Sequence, residues 1–151
     1  HNIIWLGTPD GKVFEKAFTV CPPADNSSAR LPVYVTDLRI SPDPPTNNTG
    51  VTFYPTFSNT DPQQQSFTWE TYIFKAGSMT YSYGETSPTT TDLAGGMKKE
   101  FQSYGYWVMG SGSPCTPFVA RVGVFDRNHN IIWLGTPDGK VFEKAFNVCP
   151  L

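Results

Sequence analysis

The chain has 151 residues, a formal net charge of -2 and 16% charged residues, with Phe 11, Tyr 7 and Trp 4 beside Pro 14 and Gly 13. That length supports one domain with a real core and not two ordinary ones. The charge balance leaves no basic footprint for nucleic acid or an anionic membrane surface, and no apolar run approaches the length of a membrane span, so neither nucleic acid nor membrane insertion is expected.

Taken in chain order, the first feature is a stretch that returns at the other end. Residues 1–22, HNIIWLGTPDGKVFEKAFTVCP, match residues 129–150, HNIIWLGTPDGKVFEKAFNVCP, with Thr19 against Asn147 as the one difference. The offset of 128 positions (129 − 1) is too long for a solenoid repeat and suits a whole domain in a string. Residues 1–21 therefore read as the C-terminal hairpin of a preceding repeat, or as a donated strand segment, with Ile3, Ile4, Trp5, Val13, Phe14 and Phe18 as inter-repeat contacts. Residues 22–31 read as a linker, stiffened by Pro22 and Pro23 and closed by Pro32. Residues 32–150 are the next domain. The start of the chain lacks a signal-peptide pattern, so the sequence reads as a mature product or a window from something longer.

Within 32–150 the apolar period is 2, and no window keeps a 3.6-residue period for three turns. VYVTDLRI (33–40) alternates through Val33 and Val35, slips by one residue, and resumes at Leu38 and Ile40, predicting a bulged strand. VTFYPTFSN (51–59) is a second strand whose Pro55 implies an open or bulged ladder on one side. SFTWETYIFKA (66–76) places Phe67, Trp69, Thr71 and Ile73 on one face, with Trp69 as the central core residue. Residues 82–96 read as irregular with a short edge strand, and 98–110 as a further strand. FVARVGVFD (118–126), IIWL (131–134) and VFEKAFNV (141–148) close the set, with a Thr-Pro-Asp-Gly turn between the last two. Strands at short intervals, each bounded by turn chemistry, predict an all-β antiparallel β-sandwich.

Three cysteines are an odd count that the repeat explains, since Cys21 is the copy of Cys149. Cys115 precedes one strand and Cys149 follows its antiparallel partner, so the two are expected to pair, with Cys21 paired outside this domain. Such a bond contributes about 3–4 kcal/mol and requires an oxidising compartment, which predicts a secreted, extracellular or cell-surface location. Asn26 and Asn47 begin tripeptides compatible with glycosylation.

The polar motifs of the chain read as turns and strand edges. His129 and its copy His1 lack the companions a zinc site needs. Asp126, Asn128 and Asn130 fit turn formation better than a calcium loop. The serines of GSGSPC have no base to activate them, and nothing in the sequence brings Glu70 to Glu85 as a glycosidase pair. Lys98, Lys99 and Glu100 read as a solvated strand edge. Tyr83 and Trp107 are the candidates for stacking on sugar rings. No enzyme activity and no cofactor are expected.

The opening LPVYVTDLRISPDPP, the strand VTFYPTFSNT and the ending PDGKVFEKAFNVCP resemble the immunoglobulin-like β-sandwich repeats of bacterial secreted and cell-surface proteins, of the cell-adhesion-related type. The resemblance covers about residues 32–150 and implies a sandwich of about seven strands used as a repeating extracellular module, with no enzymatic residues to carry over. The cysteines fall outside the inter-sheet positions of antibody domains. The resulting expectation is a structural repeat of a long extracellular filament, stalk or surface fibre, in contact head-to-tail with neighbouring copies of the same domain. The alternatives are separate subunits polymerised by strand donation from residues 1–21, or an adhesin domain binding cell-surface glycans.

Overall fold

In the computed structural model, which describes residues 31–47, 49–84, 88–108, 110, 114–125, 130–133, 135–137 and 140–150, the one-residue slip in VYVTDLRI is a β-bulge. β1 (Val33–Ser41) pairs antiparallel with β2 (Gly50–Asn59), and the register shifts between Val35 and Asp37. Thr36 and Asp37 both face solvent, so Val33, Val35, Leu38 and Ile40 all stay buried on one face. If these residues ran on as a regular strand with no bulge, Leu38 and Ile40 would turn outward.

β2 is the centre of the first sheet, and its other edge carries β6 (Lys98–Glu100) and β7 (Gly105–Trp107). The break between them coincides with Pro55. Phe101 N–H donates to the Pro55 carbonyl at 2.9 Å, Ser103 N–H donates to the Phe53 carbonyl at 2.8 Å, and Phe53 N–H donates to Ser103 Oγ at 3.0 Å. The proline has no N–H to offer the 98–107 ribbon, so the ribbon bulges there and a serine hydroxyl completes the ladder. The strand expected over 98–110 is thus two short pieces.

The second sheet is built on β3 (Gln65–Lys75) and β8 (Thr116–Phe125), paired from Thr68 to Lys75. β4 (Tyr81–Tyr83) and β5 (Thr89–Leu93) lie along the free side of β3, and β9 (Ile131–Trp133) and β10 (Glu143–Val148) along the free side of β8. The last strand begins at Glu143, later than the expected 141, because Phe142 turns inward against the core.

Each core cluster draws residues from both sheets. One joins Leu38, Ile40, Val51 and Phe53 to Ile73, Phe118, Phe146 and Val148. The other joins Val33, Val35 and Phe57 to Phe67, Trp69, Val122 and Val124. Trp69 is central as expected: it is 1% exposed, meets Phe57 edge-on at 5.2 Å, and its indole N–H donates to Thr91 Oγ1 at 3.1 Å. Each such aromatic contributes about 1.5–3 kcal/mol through burial.

One departure from simple alternation occurs on β3. Its outward side chains Tyr72 and Phe74 are 0% and 2% exposed, because Tyr81 and Trp133 cover them edge-to-face. The second sheet therefore has apolar packing on both faces. The segment SFTWETYIFKA does not reveal this, since the covering rings come from elsewhere in the chain.

Candidate functional site

The chain crosses the domain from pole to pole. At the proximal pole the Pro32 carbonyl accepts from Thr60 N–H at 2.8 Å and from Thr60 Oγ1 at 3.1 Å. Beside it, the buried Asn59 carboxamide donates to the carbonyls of Gln63, Leu93 and Ala94, tying two turns together. β1 then runs to the distal pole, where Pro45–Asn47 lies beside the end of the last strand. Cys149 N–H donates to the Pro45 carbonyl at 3.1 Å, Asn47 N–H donates to the Cys149 carbonyl at 2.9 Å, and Thr46 and Cys149 form a parallel bridge. Cys149 is also disulfide-bonded to Cys115, with their Cα atoms 4.1 Å apart. The expected pairing is present, and for the expected reason: β8 and β10 are antiparallel with Thr116 opposite Val148, so the cysteines just outside them meet.

The final strands dock along one edge of β8. Phe146 stacks on Phe118 at 5.7 Å and meets Phe53 edge-on at 5.5 Å, while Val148 is fully buried beneath them. Farther along, Trp133 lies opposite Gly123 and packs on Tyr72 and Phe74 at 5.1 and 5.7 Å. Gly123 must be small, because a Cβ there would sit 2.7 Å from Ile131 Cγ2 and 2.8 Å from Tyr72 Cε2. Arg121 closes the outer face, donating through Nε to Glu143 at 2.7 Å and lying over the Phe74 ring at 4.5 Å.

Several expected site residues lie outside the described residues: Ile3, Ile4, Trp5, Val13, Phe14, Phe18, Cys21, Pro22, Pro23 and Asn26, together with Glu85, Asp126, Asn128 and the two histidines. Their second copies are informative. Ile131, Ile132, Trp133, Val141, Phe142 and Phe146 correspond to the six expected contact residues. Trp133, Phe142 and Phe146 pack within their own domain, whereas Ile132 and Val141 are 39% and 41% exposed. Asn47, flagged only as a glycosylation tripeptide, has a structural part as well: its Oδ1 accepts from Gly110 N–H at 2.8 Å. The distal clamp of Pro45, Asn47 and Gly110 escaped the sequence reading, where 41–50 showed only turn chemistry.

Of the two aromatic candidates, Tyr83 is half-buried against the core and Trp107 is 64% exposed on β7. Tyr104, not singled out from sequence, is 59% exposed nearby and lines a shallow groove with Thr89, Gln102, Ser103 and Gly105. Lys98, Lys99 and Glu100 form an exposed edge strand, as expected. The Lys99 ammonium lies 5.2 Å over Phe101, and Glu100 accepts from Arg39, which also covers Tyr54 at 3.8 Å. Charges in these positions discourage another strand from pairing there.

One buried polar group stands beneath the same sheet. Tyr106 donates to the Thr71 carbonyl at 2.8 Å and approaches Glu70 at 3.4 Å. Burial, then the neighbouring Glu70 carboxylate, push its phenol well above the ordinary tyrosine range. Among the described residues, no three His, Cys, Asp or Glu side chains group as metal ligands.

No family model matches the chain, and no curated protein matches it. Among solved structures it is similar to the Pseudomonas fluorescens alkylpurine DNA glycosylase AlkC bound to DNA containing an abasic site analog, with a TM-score of 0.50 and 13% identity. The match covers 78% of this chain and spans 30% of that one. At that identity the likeness bears on the fold alone.

Proposed function

We propose that this chain is a structural repeat of a long extracellular filament, stalk or surface fibre, in which immunoglobulin-like β-sandwiches are strung head-to-tail. The observation that carries this reading is the opposite placement of Pro32 and Cys149, considered with the sequence identity of residues 1–22 and 129–150. A domain entered at one pole and left at the other lengthens a string, whereas one with adjacent termini would hang from it. A disulfide at the leaving pole adds resistance to extension and is compatible with secretion. The immunoglobulin-like assignment is supported by ribbon order: β1, β2 and the interrupted β6–β7 in one sheet, and β9–β10, β8, β3 and β4–β5 in the other.

Denaturing electrophoresis of reduced native material tests the array. A polypeptide of several repeats supports covalent tandem linkage, while a species near 16.7 kDa points to the second reading, in which separate chains join by strand donation from residues 1–21. That reading is favoured by the internal packing of Trp133 and Phe146, since the N-terminal copy carries the same side chains in the same spacing. A carbohydrate-binding role is favoured only by the exposed Trp107 and by Tyr104, which is exposed and lines a shallow groove. A glycan array with no bound sugar would remove it.

A further inference from the structure

We infer that the β8 edge is an exchangeable slot for residues 1–22 of a second copy of this chain, latched by a Cys21–Cys115 disulfide in place of Cys115–Cys149. This rests on the strand-donation reading and adds to it the edge, the register and the covalent lock. In the observed register Phe146 lies opposite Phe118, Val148 opposite Thr116, and Trp133 opposite Gly123. The repeat offset puts Phe18, Val20 and Trp5 at those same places.

The edge has no means of telling the two copies apart. Their one internal difference, Thr19 for Asn147, falls at an exposed position opposite Pro117. Every side chain the hairpin buries is identical in both. Contact energy is therefore equal, and the resident copy is favoured only by its short tether to β8, an effective-concentration advantage that falls as chain concentration rises. The disulfide decides how long each state persists. A Cys21 thiolate attacking Cys115 Sγ forms the new S–S bond, breaks the old one and expels Cys149 as the thiolate, so no oxidant is consumed. The displaced residues 129–150, with Cys149 reduced, are then equipped to repeat the step on another copy.

A second copy fits better than the same chain folding back. In one chain, residues 22–31 would have to return from the distal pole beside Thr46 to the proximal pole beside Thr60. Fully extended they reach about 35 Å, against about 30 Å for β1 alone, before the sideways step from β10 to β1. Donation to another chain imposes no return.

The test uses the full chain, incubated without reductant at rising concentration, sized in solution by light scattering, then acid-quenched and analysed by non-reducing electrophoresis and tryptic disulfide mapping. The copies are distinguishable because Cys21 lies in a tryptic peptide of residues 17–30 and Cys149 in one of residues 145–151. Oligomers linked through Cys21–Cys115, lost in Cys21→Ser and in Phe18→Ala, support the inference. Phe146→Ala should enrich them, since truncating a buried Phe favours the copy that keeps its ring by about a hundredfold or more. Oligomers that keep Cys115–Cys149 intact and survive Phe18→Ala overturn the slot while leaving strand donation through another edge. A chain that stays monomeric at every concentration overturns both. A Cys21–Cys115 bond found only within monomers overturns the second-copy assignment.

Discussion

Reducing the Cys115–Cys149 bond should lengthen the chain released when a single domain is pulled apart by its ends. Tension applied at Pro32 and beyond Cys149 loads β1 at one pole and the disulfide at the other. With the bond intact, force passes from Cys149 directly to Cys115, and the chain between them never extends. The two residues are 34 apart in sequence, so breaking the bond frees about 120 Å of contour length, against the 4.1 Å their Cα atoms span when linked. Optical-tweezers unfolding with and without dithiothreitol measures the difference, and a Cys115→Ala/Cys149→Ala double variant should give the longer step in either buffer. The same variant should be less stable by about 3–4 kcal/mol, because a long loop regains its freedom in the unfolded state. Equal step lengths in both buffers would refute the reasoning, since they would mean that the disulfide does not shunt the load.

Gly123→Ala should lower the melting temperature by about 4–10 °C, from an overpacking cost of about 1–3 kcal/mol where the new methyl meets Ile131 and Tyr72; an unchanged scanning-calorimetry midpoint would show that the outer packing yields freely. Stability should fall above pH about 10, where an unfolded tyrosine ionises and the buried Tyr106 stays protonated. The unfolded state then binds fewer protons, so the loss attributable to Tyr106 approaches at most about 1.4 kcal/mol per pH unit. Urea midpoints from pH 8 to 11 should decline less steeply in Tyr106→Phe than in the wild type. Trp107→Ala should leave the melting temperature within about 3 °C, since the side chain is 64% exposed; if the wild type gives a glycan-array signal, its survival in this variant would discount Trp107 as a stacking residue.

Local pattern determined much about this protein. The slip in VYVTDLRI gave the bulge, Pro55 gave the interrupted ladder beside it, and the alternation around Trp69 gave the inner face of β3, because each is a rule about side-chain direction along a single strand. The Cys115–Cys149 pairing was legible too, since it needed only two neighbouring antiparallel strands with a cysteine outside each. Tertiary structure alone decided the rest. Tyr72 and Phe74 are buried by Tyr81 and Trp133, and Cys149 is pinned beside Pro45 and Asn47, by contacts between segments that are distant in sequence. The pole-to-pole course from Pro32 to Cys149 is of the same kind: it depends on which strands become neighbours, and the energy of that choice is spread over two sheets and written in no single stretch of residues.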